Sequence, residues 1–188
     1  MTPAIYVTWI GEAHEPHRLI DATVAALHRE YAVPAHRVHV DGRPAGTLDL
    51  ARQQHSSRAM LTWLAERVPE DGAKLLGVTD VDLFIPVLTF VFGEAQLSGR
   101  VAVVSTARLR EPPAEPLIRS RLTKESVHEV GHTFGLVHCS THACVMARSP
   151  AIAFVDVKED RLCEDCRSRY RDLREQPYVL IRTPHSDR

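Results

Sequence analysis

The 188-residue chain has no run of eighteen apolar residues, and its opening, Met1-Thr2-Pro3-Ala4-Ile5-Tyr6, lacks a basic segment followed by an apolar one. Neither a membrane-spanning helix nor a secretory leader is supported, so a cytoplasmic protein is expected, without a membrane as partner. Charge imbalance is missing too. Lys and Arg number 23 against 24 Asp and Glu, a net charge of −1, which gives no electrostatic case for nucleic acid as a partner. There is no internal repeat and no low-complexity tract. Cysteine is scarce: the four residues Cys139, Cys144, Cys163 and Cys166 all fall within one short stretch, and in a reducing compartment such clustering favours a metal over disulfides.

The length suits one domain, 1–188, divided near residue 135 into a larger N-terminal and a smaller C-terminal part. Residues 4–10 are β-branched and aromatic and end at Gly11, predicting a strand inside a sheet. Leu19, Ile20, Val24, Leu27 and Tyr31 recur at three and four, predicting a helix over about 16–31. A short edge strand at 36–40, a loop at 41–47, a helix over 54–68 and a strand over 73–78 follow, an order that implies parallel pairing. Strands at 90–92 and 101–104, joined through Ser98-Gly99, predict an antiparallel hairpin whose edge can pair with an extended peptide. The proline-rich stretch 108–116 then leads into a helix over about 117–134, with Arg119, Arg121, Lys124 and Glu125 as its solvated face. A last short helix is expected over 163–176, its Arg167, Arg169, Arg171 and Arg174 in solvent.

That long helix carries His128-Glu129-Val130-Gly131-His132-Thr133-Phe134-Gly135-Leu136-Val137-His138-Cys139. Residues four apart on a helix share a face, so His128 and His132 can present two imidazoles to one ion. Gly135 can take the left-handed conformation that ends a helix, and the chain can turn back so that His138 supplies a third nitrogen. Three neutral nitrogens leave a tetrahedral zinc with one position for water, whose pKa falls towards about 7, a hydrolytic arrangement. Glu129, beside the first histidine, is placed to be the general base. A helix with surface histidines is the plain alternative, since the chain has 11 histidines. At this composition H-E-x-x-H arises by chance at roughly one in twenty, but the full pattern through Gly135 and His138 at about one in ten thousand.

Cys139-x4-Cys144 and Cys163-x2-Cys166 can each wrap two thiolates around one ion, and four thiolates close a structural zinc site that leaves no place for water. Two disulfides or free buried thiols are the alternatives, and His142 is a rival ligand. Successive side chains in an extended segment point oppositely, so His138 can face one ion and Cys139 the other.

The pattern H-E-x-x-H-x-x-G-x-x-H followed by Met146 resembles the metzincins. Residues 128–139, Cys144-Val145-Met146 and Cys163-Glu164-Asp165-Cys166 are similar, more narrowly, to the archaemetzincins, where a cysteine follows the third histidine and four cysteines surround the methionine turn. Sixteen residues separate Met146 from Cys163, one fewer than in the family's pattern. The resemblance implies an α/β (α+β) fold: a metzincin-like twisted mixed β-sheet with backing helices, an active-site helix and a small C-terminal zinc-stabilised subdomain. It implies His128, His132 and His138 on a catalytic zinc, Glu129 as base, the four cysteines on a second zinc, and Met146 in the turn beneath the metal, where core filler is the plain alternative. The expected function is a zinc-dependent metallopeptidase, in which Glu129 assists attack of zinc-bound water on a peptide or protein substrate. A silent zinc-stabilised peptide-binding module and a zinc hydrolase of a non-peptide amide are the competing readings.

Overall fold

In a computed structural model, residues 3–112 and 114–175 are described. The elements in chain order are β1 (Ala4–Trp9), α1 (His17–Tyr31), β2 (Ala35–Arg37), β3 (Leu48–Asp49), β4 (Gln54–Ser56), α2 (Ser57–Ala65), β5 (Gly72–Thr79), β6 (Leu83–Phe84), β7 (Gly93–Ala95) and β8 (Val101–Ser105). A 3-10 turn at Ala107–Leu109 then leads to α3 (Glu115–Thr133), α4 (Ile152–Val157) and α5 (Glu164–Glu175). Strand order in the main sheet is β2-β1-β5-β8-β7. The first four run parallel, and β7 pairs antiparallel with β8 to form an outer edge.

Strand side chains alternate between faces, and here both faces are apolar. Ile5, Val7, Leu76, Val78, Ala102 and Val104 face α1 and α3, joining Leu27, Leu122, Val127 and Val130 in the larger core. Leu75, Val101 and Val103 face α2 and its Met60, Leu61 and Leu64. Covering both faces makes all five residues of β8 buried. Each such aliphatic side chain contributes roughly 1.5–3 kcal/mol on burial, so the sheet is a firm platform for α3, which packs along β8 and β7.

Several expectations shift. The predicted strand 90–92 is displaced: Val91 makes only a bridge to Leu83, and the edge strand is Gly93–Ala95. A second small sheet, β3-β4-β6, takes the start of the expected helix and two short stretches for which the sequence predicts no element, and α2 begins at Ser57, with Ser56 Oγ accepting from the Ala59 amide. The expected solvated face of α3 is only partly so. Arg121 and Glu125 are buried. Arg121 makes a two-pronged pair with Asp156, at 2.6 and 2.7 Å, while its remaining donors reach the carbonyls of Leu109 and Glu111. Glu125 pairs with the fully buried Lys158 at 2.6 Å, and Lys124 donates to the Val155 and Asp156 carbonyls. Removing one member of the buried Glu125–Lys158 pair strands the other charge at a cost of about 3–5 kcal/mol, and together these contacts fix α3 to the segment that follows it.

Residue 176, the expected end of the last helix, lies outside the described residues. Of the four arginines expected in solvent on α5, Arg167 instead donates to Glu30 at 2.9 Å and Arg174 reaches the Tyr31 carbonyl. Glu30 also accepts from the Leu162 amide, and the Tyr170 hydroxyl donates to the Tyr31 carbonyl at 2.8 Å. The C-terminal end of α1 is therefore the anchor for the chain around the last two cysteines. Among the described residues no helix is long and apolar enough to cross a membrane.

Candidate active site and second metal centre

The last two turns of α3 bring His128 and His132 to one face, with their Nε2 atoms 3.0 Å apart. Their other nitrogens settle the tautomer. His128 Nδ1 lies 2.8 Å from the Val145 carbonyl and His132 Nδ1 lies 2.7 Å from the Leu136 carbonyl. A carbonyl can only accept, so each Nδ1 carries the proton and each Nε2 presents a lone pair. Two lone pairs at that distance repel unless a cation lies between them. Burial depresses the pKa of all three rings, that of His138 to about 4, so near neutral pH none is protonated.

His138 arrives by the turn at Gly135, whose φ of 94° is costly for any residue with a Cβ. The Leu136 carbonyl that receives His132 belongs to this same turn. One nitrogen from each of the three rings lies within 4.8 Å of the others, and a tetrahedral zinc with bonds of 2.0–2.1 Å needs nitrogens about 3.3 Å apart. The donor set and geometry fit zinc.

Glu129 is 6% exposed and sits under the edge strand: a Cβ on Gly93 would lie 2.7 Å from its Cγ. Burial, reinforced by the carboxylates of Glu125 and Glu94 and opposed by Lys158, raises its pKa well above the ordinary carboxylate range. Met146 is fully buried beneath α3 and packs where Gly131 leaves room. The expected methionine turn is thus in contact with the motif helix.

The four cysteine sulfurs lie within 4.8 Å of one another, and Cys139 Sγ is 3.8 Å from Cys163 Sγ. A disulfide would need about 2.05 Å, whereas a tetrahedral zinc with bonds of about 2.3 Å places sulfurs roughly 3.8 Å apart. All four are free cysteines in this structure, an arrangement that suits a shared ion rather than two disulfides. His142 is exposed and stands outside the group. Burial and the neighbouring Cys144 push the Cys166 thiol up, because clustered thiolates repel without a cation to share. The Cys139 amide donates to the Met146 carbonyl at 2.9 Å, tying the thiolate group to the methionine turn.

Sequence reasoning missed the residues that orient the site: the carbonyls of Val145 and Leu136, the close approach of Gly93, and Tyr31, whose hydroxyl donates to the Val127 carbonyl of α3. None has a local signature. Gly131, inside the motif, was the one available signal, since glycine mid-helix needs a packing reason.

A mixed sheet with a helix presenting converging imidazoles beside a buried carboxylate, under a free strand edge, defines a zinc metallopeptidase. Comparison places it further. Residues 21–172 match Peptidase family M54, and the chain belongs to that family, the archaemetzincins. It is 39% identical over 134 residues to the archaemetzincin of Methanocaldococcus jannaschii, covering 69% of this chain and 73% of that one. The crystal structure of archaemetzincin from Methanopyrus kandleri superposes with a TM-score of 0.84 at 30% identity, covering 93% of this chain and 97% of that one. A zinc-dependent peptidase from Methanocorpusculum labreanum gives 0.78 at 26% identity, covering 88% and 99%.

Proposed function

We propose that this chain hydrolyses peptide bonds at a centre held by His128, His132 and His138, with Glu129 as general base, and that Cys139, Cys144, Cys163 and Cys166 hold a second, structural zinc. The observation that carries the reading is the pair of Nε2 lone pairs 3.0 Å apart, each fixed by an Nδ1–H donated to a backbone carbonyl. Bound zinc supplies Lewis acidity, lowering the pKa of water towards about 7 and polarising a carbonyl. With zinc bound, Glu129 would take the proton of the attacking water and return it to the leaving amine, a role for which its place beside His128 under the edge strand suits it. The outer strand β7 lies directly over Glu129 and can hold an extended peptide by main-chain hydrogen bonds. On this reading the chain is one metallopeptidase domain, its parts at about 1–135 and 136–188 joined by the turn that carries His138 and Cys139, and its partners are peptides or proteins.

The test is a peptide-library screen with zinc-loaded wild type and Glu129→Ala. Cleavage by the first and not the second supports the proposal. Full zinc occupancy with no cleavage by either leaves a silent binding module, and cleavage confined to non-peptide amides leaves the other hydrolase.

A further inference from the structure

The buried pair of Lys158 and Glu125 does more than join α3 to the segment after it. Glu125 precedes His128, Glu129 and His132 by three, four and seven positions, so it lies on the same face of α3 as the motif. Lys158 follows α4 at once, in an extended conformation, and its side chain is fully buried. Two of its three donors have partners: one meets Glu125 Oε1 at 2.6 Å and one points to the Ala147 carbonyl at 3.4 Å. Ala147 comes directly after Met146, so the ammonium bridges the motif helix and the methionine turn.

That turn carries the carbonyl that orients the first histidine: Val145, two residues before Ala147, accepts from His128 Nδ1 at 2.8 Å. Backbone bonds join the turn to the segment of Lys158. The Glu159 amide donates to the Ala143 carbonyl at 2.8 Å, and the Val145 amide to the Arg161 carbonyl at 3.0 Å. The two stretches therefore move as one piece, and Lys158 fastens that piece to α3 about one turn before His128 and Glu129. Besides burial, the charge of Lys158 helps to keep all three imidazoles unprotonated and bears on Glu129, so the ammonium stands close to the motif, with Glu125 to balance it. Stability alone gives no reason for such a pair, because well-packed apolar side chains of similar volume often hold a core as well or better. What apolar side chains lack is direction, whereas a charge-assisted hydrogen bond fixes both distance and angle.

Resting on the metallopeptidase reading, we propose that Lys158 is a positioning residue for the reaction: its bond to Glu125 sets the methionine turn at the height on α3 where the Val145 carbonyl meets His128 Nδ1, and so aims the His128 Nε2 lone pair at the metal. Fully buried, Lys158 acts through that carbonyl rather than on the substrate. Loss of an outer partner that orients a ligand typically weakens metal binding by about 10–100-fold.

The test uses full-length protein whose cysteine site keeps zinc while the histidine centre is exchanged to cobalt(II) after mild chelation, since the visible bands of cobalt report ligand geometry. Two variants are compared with wild type: Lys158→Met, which strands the Glu125 charge, and the double variant Glu125→Leu/Lys158→Met, which removes both charges and keeps the space filled. The first should lower the melting temperature, and the second should restore it to within a few degrees of wild type. Both should nevertheless bind cobalt about tenfold or more weakly, with shifted bands. Zinc-loaded double variant should also lose kcat by about tenfold or more, at unchanged KM, on a library peptide that wild type cleaves. Wild-type cobalt affinity and bands in either folded variant would overturn the assignment and leave the pair a purely structural one. Wild type that takes up no cobalt at its histidines would overturn the assignment and the metal centre together. If no peptide is cut but the weakened binding and shifted bands stand, the peptidase activity fails and the positioning role survives.

Discussion

A Cβ placed on Gly131 would lie 2.6 Å from Met146 Sδ and 2.8 Å from the Tyr31 hydroxyl. The glycine inside the motif is therefore a socket for the methionine turn. The thioether could swing aside, but the Tyr31 hydroxyl is held by the Val127 carbonyl and cannot retreat freely. Gly131→Ala gains up to about 1 kcal/mol of helix propensity yet overpacks at a cost of about 1–3 kcal/mol. The expected net result is a melting temperature lowered by a few degrees, roughly 2–4 °C per kcal/mol at this length, with a fall in activity as α3 and the methionine turn move apart. Calorimetry and peptide hydrolysis on the same sample check it, and an unchanged melting temperature would mean that the contact is slack.

Glu129→Ala should lower turnover by about 10²–10⁴-fold while zinc content and hydroxamate affinity stay near wild type. Gly93 already leaves no room above this side chain, so the truncation creates space rather than a clash. Wild-type turnover in the variant, with zinc in place, would remove Glu129 from the mechanism.

Elemental analysis of purified protein should find two zinc ions per chain, one for each ligand group. Cys166→Ser should lose one of them and lower the melting temperature far more than His132→Ala does. The cysteines join the C-terminal segment to α1 and α3, and metal binding by such clusters is folding energy, on the order of 10 kcal/mol in small zinc modules. The imidazoles, by contrast, sit on a helix already packed against β8 and β7. Equal shifts would contradict this division.

Lys74 yields a pH prediction. Buried on β5, it donates to the Gly99 and Thr133 carbonyls at 2.6 and 2.7 Å, capping the C-terminal end of α3, and burial lowers its pKa from 10.5 to about 8. Between those values the unfolded chain binds more protons than the folded one, so this residue makes stability rise with pH from about 8 towards 10.5. Denaturant unfolding of wild type and Lys74→Met across that range should show the slope in the first and its loss in the second.

Long periodic elements and the metal motifs were legible because their information is local. The spacing of Leu19, Ile20, Leu27 and Tyr31 is enough for α1, and His128, His132 and His138 announce themselves by spacing on a helix and after a turn. The short strands β3, β4 and β6 were not legible, since two or three residues leave no room for alternation and their pairing is tertiary. Arg121 and Glu125 misled for a related reason. Charged residues on a helix are usually solvated, and nothing nearby reveals that Asp156 and Lys158 return 35 and 33 positions later to bury them. Phe90 and Phe92 have the composition of a strand, which puts the expected edge strand three residues before the observed one, although they line a cavity instead.

One peptide link separates His138 from Cys139, while Cys163 and Cys166 follow Cys139 by 24 and 27 residues. At synthesis rates of about 5–20 residues per second, the helix with its first two imidazoles leaves the ribosome seconds before the thiolates that must fix the third. A nascent or truncated chain that ends before α5 therefore displays a metal-binding helix without a completed cutting edge. On the proposed ligand set, the order of residues along the chain itself delays proteolysis until the segment carrying Cys163 and Cys166 has been made, a safeguard built into the domain.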